Sequence, residues 1–247
     1  MLLDFFRKKP SETSVDCFSS LNVDIHSHLV PGIDDGSDSI ETSLALIEGL
    51  ISLGYKKIIT TPHVRPEYFP NTRETILNGF AKLKAAVKKA GLPVELACAA
   101  EYFVDYDFEK KLEKEDLLTL PGNHVLIELS TFSPPPNLHD TLFKLRLKGY
   151  HLILAHPERY QYFQEEEFQK LKDFGCLFQV NILSLGGHYG KSVKEVSMKF
   201  LKRGMVDFLG TDLHHRSHLE GLRKLAADRS FLKLFRQFNF QNASFTG

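Results

Sequence analysis

Residues 51–63 read ISLGYKKIITTPH, and this one stretch contains the unit from which the fold is built. Ile51 closes an apolar stripe at helical spacing (Ile40, Leu44, Ile47, Ile51), Gly54 stops that helix, a short apolar run begins at Tyr55, and the run finishes on His63. Glycine suits the stop because it adopts the left-handed conformation that closes helices. Gly91, Gly149, Gly175 and Gly204 likewise end periodic stretches just ahead of apolar runs. A second helix shows its stripe at Ile76, Phe80, Leu83 and Val87. Asp38 with Glu41, and Asn71 with Glu74, place capping side chains at the starts of the two helices.

Seven apolar runs read as buried strands: LNVDIHSH from Leu21, YKKIITTPH from Tyr55, VELACAAE from Val94, HVLIELS from His124, HLILAH from His151, LFQVNI from Leu177 and VDFLGTD from Val206. Strict alternation with helices predicts an α/β fold with parallel strands, and periodicity leaves both a closed barrel and an open sheet possible. The 247 residues fit one domain, taken as residues 21–247 after a flexible N-terminal segment, 1–20. Beyond about Ser230 the pattern turns aromatic and polar and does not say whether the tail packs.

Composition narrows the function classes. Lys plus Arg and Asp plus Glu both count 31, so no basic balance draws the chain to nucleic acid. Cys17, Cys98 and Cys176 are an odd number without C-x-x-C spacing, which fits the reducing cytoplasm. The start, MLLDFFRKKPSETS, reverses the order of a signal peptide, and no run approaches the roughly 18 apolar residues of a membrane span, so membrane insertion is not expected.

Chemistry gathers at the strand ends. Asp24, His26 and His28 follow the first run, His63 the second and Glu101 the third; Glu128 lies in the fourth, His156 follows the fifth, and Asp212 and His214 follow the seventh. The sixth offers only Asn181. Parallel α/β folds bring the carboxyl ends of their strands to one face, so these residues meet there. Glu101 and Glu128 end apolar runs, where a carboxylate is costly unless paired or bound to metal. His26 and His28 stand two apart, so in a strand both point to one side. His124, His139, His151 and His188 fall at strand starts, a helix start and a loop, and read as structural. About five histidines and four carboxylates exceed the needs of one ion, implying two or three divalent metal ions, an arrangement suited to phosphoryl transfer. Arg159, three residues after His156 in LILAHPERY, supplies a cation for phosphate. Arg65 and Arg216, each two residues after a candidate histidine, are similarly placed.

The set D-x-H-x-H (Asp24, His26, His28) with an aspartate before glycine (Asp35, Gly36) resembles the PHP (polymerase and histidinol phosphatase) superfamily. More narrowly, DIHSHLVPGIDDG, ITTPH, AAEYF, LIELS, AHPERY, QVN and GTDLH, from about Leu21 to Leu219, resemble bacterial PHP-type protein-tyrosine phosphatases of capsule and exopolysaccharide synthesis. The resemblance implies a distorted (β/α)7 barrel of parallel strands holding up to three divalent ions, usually Mn2+, and hydrolysing phosphotyrosine on an autophosphorylating bacterial tyrosine kinase. It implies that His26, His28, Glu101 and Asp212 hold one ion; that Glu101 bridges to a second with Glu128 and His156; and that Asp35, His63 and His214 hold the third. Arg159 would bind the substrate phosphate, and the glycine after Asp35 favours that residue over Asp34.

Three rivals stand beside this reading. A PHP phosphatase of a small molecule such as histidinol phosphate would use nearly the same ligands. A non-catalytic PHP module should have lost ligands, whereas all nine positions are filled. An amidohydrolase-type barrel would bridge its ions through a strand-end lysine, where this chain has Glu101 and Glu128. A cysteine nucleophile needs C-x5-R, but Val23, Val104 and Ile182 stand six residues after the three cysteines.

Overall fold

The computed structural model describes residues 17–246. In chain order its strands and helices are β1 (Val23–Asp24), α1 (Ile40–Ser52), β2 (Lys57–Thr60), β3 (His63–Val64), α2 (Arg73–Ala90), β4 (Glu95–Cys98), β5 (Glu101–Phe103), α3 (Tyr106–Glu113), β6 (His124–Glu128), α4 (Leu138–Leu147), β7 (His151–Ala155), α5 (Glu165–Asp173), β8 (Leu177–Asn181), α6 (Ile182–Gly186), α7 (Lys191–Lys202), β9 (Phe208–Gly210), α8 (Arg216–Ala227) and α9 (Arg229–Phe235).

Every strand pairing is parallel, in the orders β1-β2-β4 and β3-β5-β6-β7-β8-β9. Strands β2 and β3 are halves of one expected run, broken around Thr61 and Pro62; β4 and β5 are halves of another, broken at Ala99 and Ala100. Pro62 brings no N–H to the ladder, which accounts for the first break. The halves stay in step because Ala99 N–H donates to Thr60 O (2.9 Å) and Glu101 N–H to Pro62 O (3.1 Å). The nine short strands are thus the seven expected ones, each beside its sequence neighbour. The last returns to the first: Asp212 N–H donates to His26 O (2.8 Å) and His28 N–H to Leu213 O (3.0 Å), with a parallel bridge at Ser27 and Leu213. The pairings therefore run in a ring.

Alternation along each strand sorts its side chains between two cores. Ile58, Val125, Ile127, Leu152 and Leu154 join the apolar faces of the helices, Leu46, Ile47 and Leu50 of α1 among them. Their neighbours Ile59, Leu126, Ile153 and Ala155 form a smaller cluster within the ring. All five glycines expected to stop helices have positive φ, from 66° to 106°. The caps lie one residue later than expected. Ser39, not Asp38, accepts from Thr42 N–H, and Thr72, not Asn71, forms a capping box with Thr75. Several cap-competent residues stand in a row at each start, and periodicity does not choose among them. Asn71 is buried instead, its Nδ2 donating to Ile33 O (2.8 Å) and His63 O (2.9 Å), which ties together two loops that carry candidate ligands.

Both chain ends within the described region pack. Cys17 and Phe18, inside the segment expected to be flexible, are buried, and the Phe18 ring lies 5.5 Å from Phe235 and 6.1 Å from Tyr55. Residues 1–16 lie outside the described residues. At the other end Phe245 enters the inner cluster and stacks on Phe208, centroids 5.3 Å apart. Asn242 beside it is fully buried; its Nδ2 donates to Val23 O (3.0 Å) and Leu209 O (2.7 Å), and its Oδ1 accepts from Leu209 N–H (3.0 Å). One side chain thereby bridges the first and last strands. His124 and His151, read as structural, lie at this end with rings 4.9 Å apart, His124 edge-on to Phe245.

Phe245→Ala is therefore expected to lower unfolding free energy by about 3–5 kcal/mol, and Asn242→Ala, which strands buried backbone groups, by about 1–3 kcal/mol. Urea unfolding followed by circular dichroism checks both; an unchanged midpoint in either variant would show that the tail does not seal the ring.

Candidate metal centre

The strand ends, with the loop between β1 and α1 that carries Asp35, bring the nine residues expected as ligands close together. His63 opens β3 in register with Glu101 at the start of β5, and Glu128 closes β6 opposite Phe103. His156 follows β7, and Asp212 and His214 follow β9. His156 (φ 36°) and Asp212 (φ 48°) are in left-handed backbone, which costs a residue with a Cβ roughly 1–2 kcal/mol. Hydrogen bonds hold both there: His156 N–H donates to Gln179 O (2.7 Å) and Asp212 N–H to His26 O. Strain held by its surroundings in this way gathers at functional sites.

Glu101 is the hub. Its Oε2 lies 3.2 Å from His26 Nε2, 3.5 Å from His28 Nε2 and 3.0 Å from His63 Nδ1, while Oε1 lies 3.0 Å from His156 Nε2. Asp212 Oδ1 is 3.4 Å from His26 Nε2, 3.5 Å from His28 Nε2 and 3.4 Å from His214 Nδ1. Glu128 Oε1 lies 3.2 Å from His63 Nδ1. Asp35 Oδ1 stands 3.4 Å from His214 Nε2 and 3.6 Å from His63 Nε2. Glu101 Oε2 and His63 Nδ1 are buried and, despite their closeness, make no hydrogen bond of acceptable angle. They aim at shared space, not at each other.

Among the described residues, three sets of ligand atoms lie close enough to hold an ion: His26, His28 and Glu101; His63, Glu101 and Glu128; and His28, Asp35, His63 and His214. His63 thus touches two sets, while His156 contacts Glu101 without entering any of them. Asp24 stays behind the cluster, accepting from Thr211 N–H (3.0 Å) and Oγ1 (2.7 Å); burial raises its pKa to about 6 against those bonds.

Hydrogen bonds behind the ligands fix which imidazole nitrogens are bare. Asp212 can only accept, so Asn181 Nδ2 donates to it (2.7 Å); Asn181 Oδ1 then accepts from Gln179 Nε2 (2.9 Å), and Gln179 Oε1 is left to accept from His26 Nδ1–H (2.6 Å). His28 Nδ1–H donates to Asp34 (2.9 Å), and His214 Nδ1–H to Asp212 O (2.9 Å). The unprotonated Nε2 atoms of His26 and His28 therefore face one another at 3.2 Å, beside two carboxylates. Lone pairs so arranged suit a cation among them. Without an ion, protons must serve: burial opposes charge on His26, but the Glu101 and Asp212 carboxylates outweigh it and push its pKa up to about 10. The hydrogen bond from His214 holds Asp35 down at about 2. A nitrogen and oxygen donor set with a shared carboxylate suits divalent ions.

Sequence reasoning missed this supporting layer. Gln179 and Asp34 carry no strand-end signal of their own. Gly36 packs so closely that a Cβ there would lie 2.2 Å from His28 O, and one at Gly210 would lie 2.5 Å from Gln179 Nε2 and 2.8 Å from His26 Cβ.

A cavity of about 280 Å³ opens over the cluster, walled by Arg65, Phe69, Arg159, Tyr189, His215 and His218. The Arg159 guanidinium lies 3.8 Å from Asp212 Oδ2 and over the Tyr189 ring at 5.4 Å. Arg216 begins α8 and is not among the lining residues. His218 lines the cavity, its Nδ1 3.1 Å from Asp212 O, and burial pushes its pKa down to about 4.

A family model described as capsular polysaccharide synthesis, CpsB/CapC, matches residues 22–227. The tyrosine-protein phosphatase CpsB of Streptococcus pneumoniae is 31% identical over 201 residues, covering 78% of this chain and 83% of its own. The tyrosine-protein phosphatase YwqE of Bacillus subtilis is 28% identical over 196 residues, covering 78% and 77%. In a crystallographic study of YwqE and CpsB, described as unique metal-dependent tyrosine phosphatases, one structure superposes with a TM-score of 0.73 at 25% identity, covering 89% of this chain and 94% of that one.

Removing the Gln179 acceptor while keeping every ligand is expected to weaken metal binding about 10- to 100-fold in Gln179→Leu, read by competition with a chelating dye; unchanged affinity would refute the relay. A pH dependence also follows. The folded ion-free protein holds a proton on His26 up to about pH 10, whereas an unfolded histidine releases it near 6.5. Stability from this group is complete below about pH 6.5 and is lost as pH rises toward 10. Thermal unfolding in chelator should show that decline, and metal-loaded protein should not.

Proposed function

The chain belongs to the CpsB/CapC family of capsular polysaccharide synthesis, and we propose that it is a metal-dependent protein-tyrosine phosphatase acting on an autophosphorylated bacterial tyrosine kinase in the cytoplasm. The observation that carries this reading is the convergence of the Nε2 atoms of His26 and His28 on Glu101 and Asp212, a nitrogen and carboxylate set that a divalent cation fits. Names of relatives support the substrate: CpsB and YwqE are tyrosine-protein phosphatases, described as metal-dependent.

On this reading two or three divalent ions, Mn2+ by resemblance, would be held by His26, His28, Glu101 and Asp212, by Glu101, Glu128, His63 and His156, and by Asp35, His63 and His214. Divalent ions there supply an acidified water and offset charge on the phosphoryl group. The chain's own residues do the rest. Arg159, partly anchored by Asp212, has guanidinium donors to spare for phosphoryl oxygens as charge grows on them. Phe69 and Tyr189 line the cavity, giving an aromatic ester apolar walls, and Phe69 is itself fixed by stacking on His63 at 5.4 Å and 12°. Burial pushes the thiols of Cys98 and Cys176 up to about 12, which disfavours thiolate attack. No helix among the described residues is long and apolar enough to cross a membrane.

Purified protein is expected to hydrolyse phosphotyrosyl peptide with added Mn2+, to lose that activity in a strong chelator, and to regain it on metal return. Arg159→Ala should lower kcat about 10²- to 10³-fold. Chelator-resistant turnover would overturn the metal mechanism, and much faster turnover of histidinol phosphate at equal concentration would overturn the substrate.

A further inference from the structure

One cation in the cavity wall has no task in the reaction above. Arg65 lies two residues beyond His63, on the same side of the strand and, at strand rise, roughly 6.6 Å further out from the ligand layer. Parallel register, with Val64 beside Tyr102, sets it next to Phe103. Its guanidinium carbon lies 4.1 Å from the centroid of Phe103 and 4.4 Å from that of Tyr68, so two rings hold it. The loop carrying it is stiff: Arg65 N–H donates to Phe69 O (3.1 Å), and Arg65 O accepts from Phe69 N–H (2.6 Å) and Tyr68 N–H (3.0 Å). Arg65 Nε is buried without a hydrogen-bond partner, and among the described residues no carboxylate pairs with the side chain. Stacking orders a guanidinium but leaves its hydrogen-bonding edge unused. An arginine so fixed and so unpaired, at the mouth of a substrate cavity, lacks an anion.

The surface beyond this loop points the same way. Tyr68 is 63% exposed at the rim. On the other side of the loop, a groove of about 330 Å³ is lined by Pro66 and Pro70 together with Lys110, Lys111 and Lys114 of α3 and the loop after it. Its two aspartates are engaged already, Asp107 by Lys110 (2.9 Å) and Asp116 by Arg73 (2.7 Å). Lys111 and Lys114 have no carboxylate partner among the described residues, so the groove is left with positive charge.

We infer that Arg65 is a specificity residue: it grips a carboxylate of the polypeptide beside the phosphotyrosine, and the lysine groove extends the preference to an acidic flanking segment. This rests on the phosphatase reading above and adds the chemistry of the substrate's surroundings. Arg159 serves the phosphoryl group, whereas Arg65, one layer further out, serves the chain that carries it.

The test compares wild-type, Arg65→Ala and Arg65→Lys, each loaded with Mn2+, on three substrates: p-nitrophenyl phosphate, a phosphotyrosyl peptide flanked by Asp and Glu, and the same peptide with neutral flanks. Wild type is expected to favour the acidic peptide about tenfold in kcat/KM, mainly through KM, and to lose that preference as ionic strength rises. In Arg65→Ala the ratio of acidic to neutral peptide should fall close to one, with the loss on the acidic peptide at least fivefold larger than any loss on p-nitrophenyl phosphate. Arg65→Lys should retain part of the preference, because it keeps the charge without the planar fork. Equal losses on all three substrates would overturn the inference and place Arg65 with the phosphoryl group or the fold; an intact preference in Arg65→Ala would overturn it too. If metal-loaded wild type turns over p-nitrophenyl phosphate but neither peptide, the phosphotyrosine reading falls, and this inference falls with it.

Discussion

The arrangement of this protein depends on a concentration of histidine lone pairs and buried carboxylates at the carboxyl ends of its strands. Glu101 and Asp212 are buried, and the histidines about them turn bare nitrogens toward the same space. Burial of charge is among the costlier things a fold can do unless it is paired or bound to metal. The remainder of the top face is arranged to make that convergence hold. Strained backbone at His156 and Asp212 turns their side chains inward, Asn71 braces two ligand loops, and the absence of side chains at Gly36 and Gly210 lets the supporting groups close up behind His28 and His26.

Much of this was legible in the sequence, for a physical reason. A parallel α/β ring confines ligands to the carboxyl ends of its strands, so each apolar run ending in His, Asp or Glu announced its own member of the cluster. At its end the sixth run, LFQVNI, offers only Asn181, and there the reading fell short. Gln179 sits inside that strand and contacts His26 across 153 residues of chain, a relation that no local pattern carries. Asp34 was outweighed by its neighbour because a glycine follows Asp35; in the structure the two carboxylates divide the work, Asp35 facing the open cavity and Asp34 behind His28. His63 presents one ring nitrogen to Glu101 and Glu128 and the other to Asp35, a double contact that spacing along the chain does not reveal.

Fold details that escaped the sequence share a cause. The helix starts were misplaced by one residue because Asp38 and Ser39, like Asn71 and Thr72, are equally competent caps, and the structure gave Asn71 a long-range role instead. The return of the last strand to the first rests on backbone pairing between segments far apart in sequence, which no local pattern carries. The tail after Ser230 has no clean period because α9 and the turn after it meet different surroundings: Phe235 joins the core beneath the helices, while Asn242 and Phe245 close the inside of the ring.

That closure bears on how the molecule comes into being. Asn242 bonds to Val23 across 219 residues, and Thr211 to Asp24 across 187. During synthesis the first strand emerges early and must wait, with one edge unpaired, until nearly the whole chain has been made. Contacts so distant in sequence slow folding, and an unpaired edge in the meantime invites association with other chains. The same delay protects the chemistry. His26 cannot meet Asp212 before the ring shuts, so a nascent or truncated chain lacks an assembled ligand cluster, and the catalytic centre matures only with the completed fold.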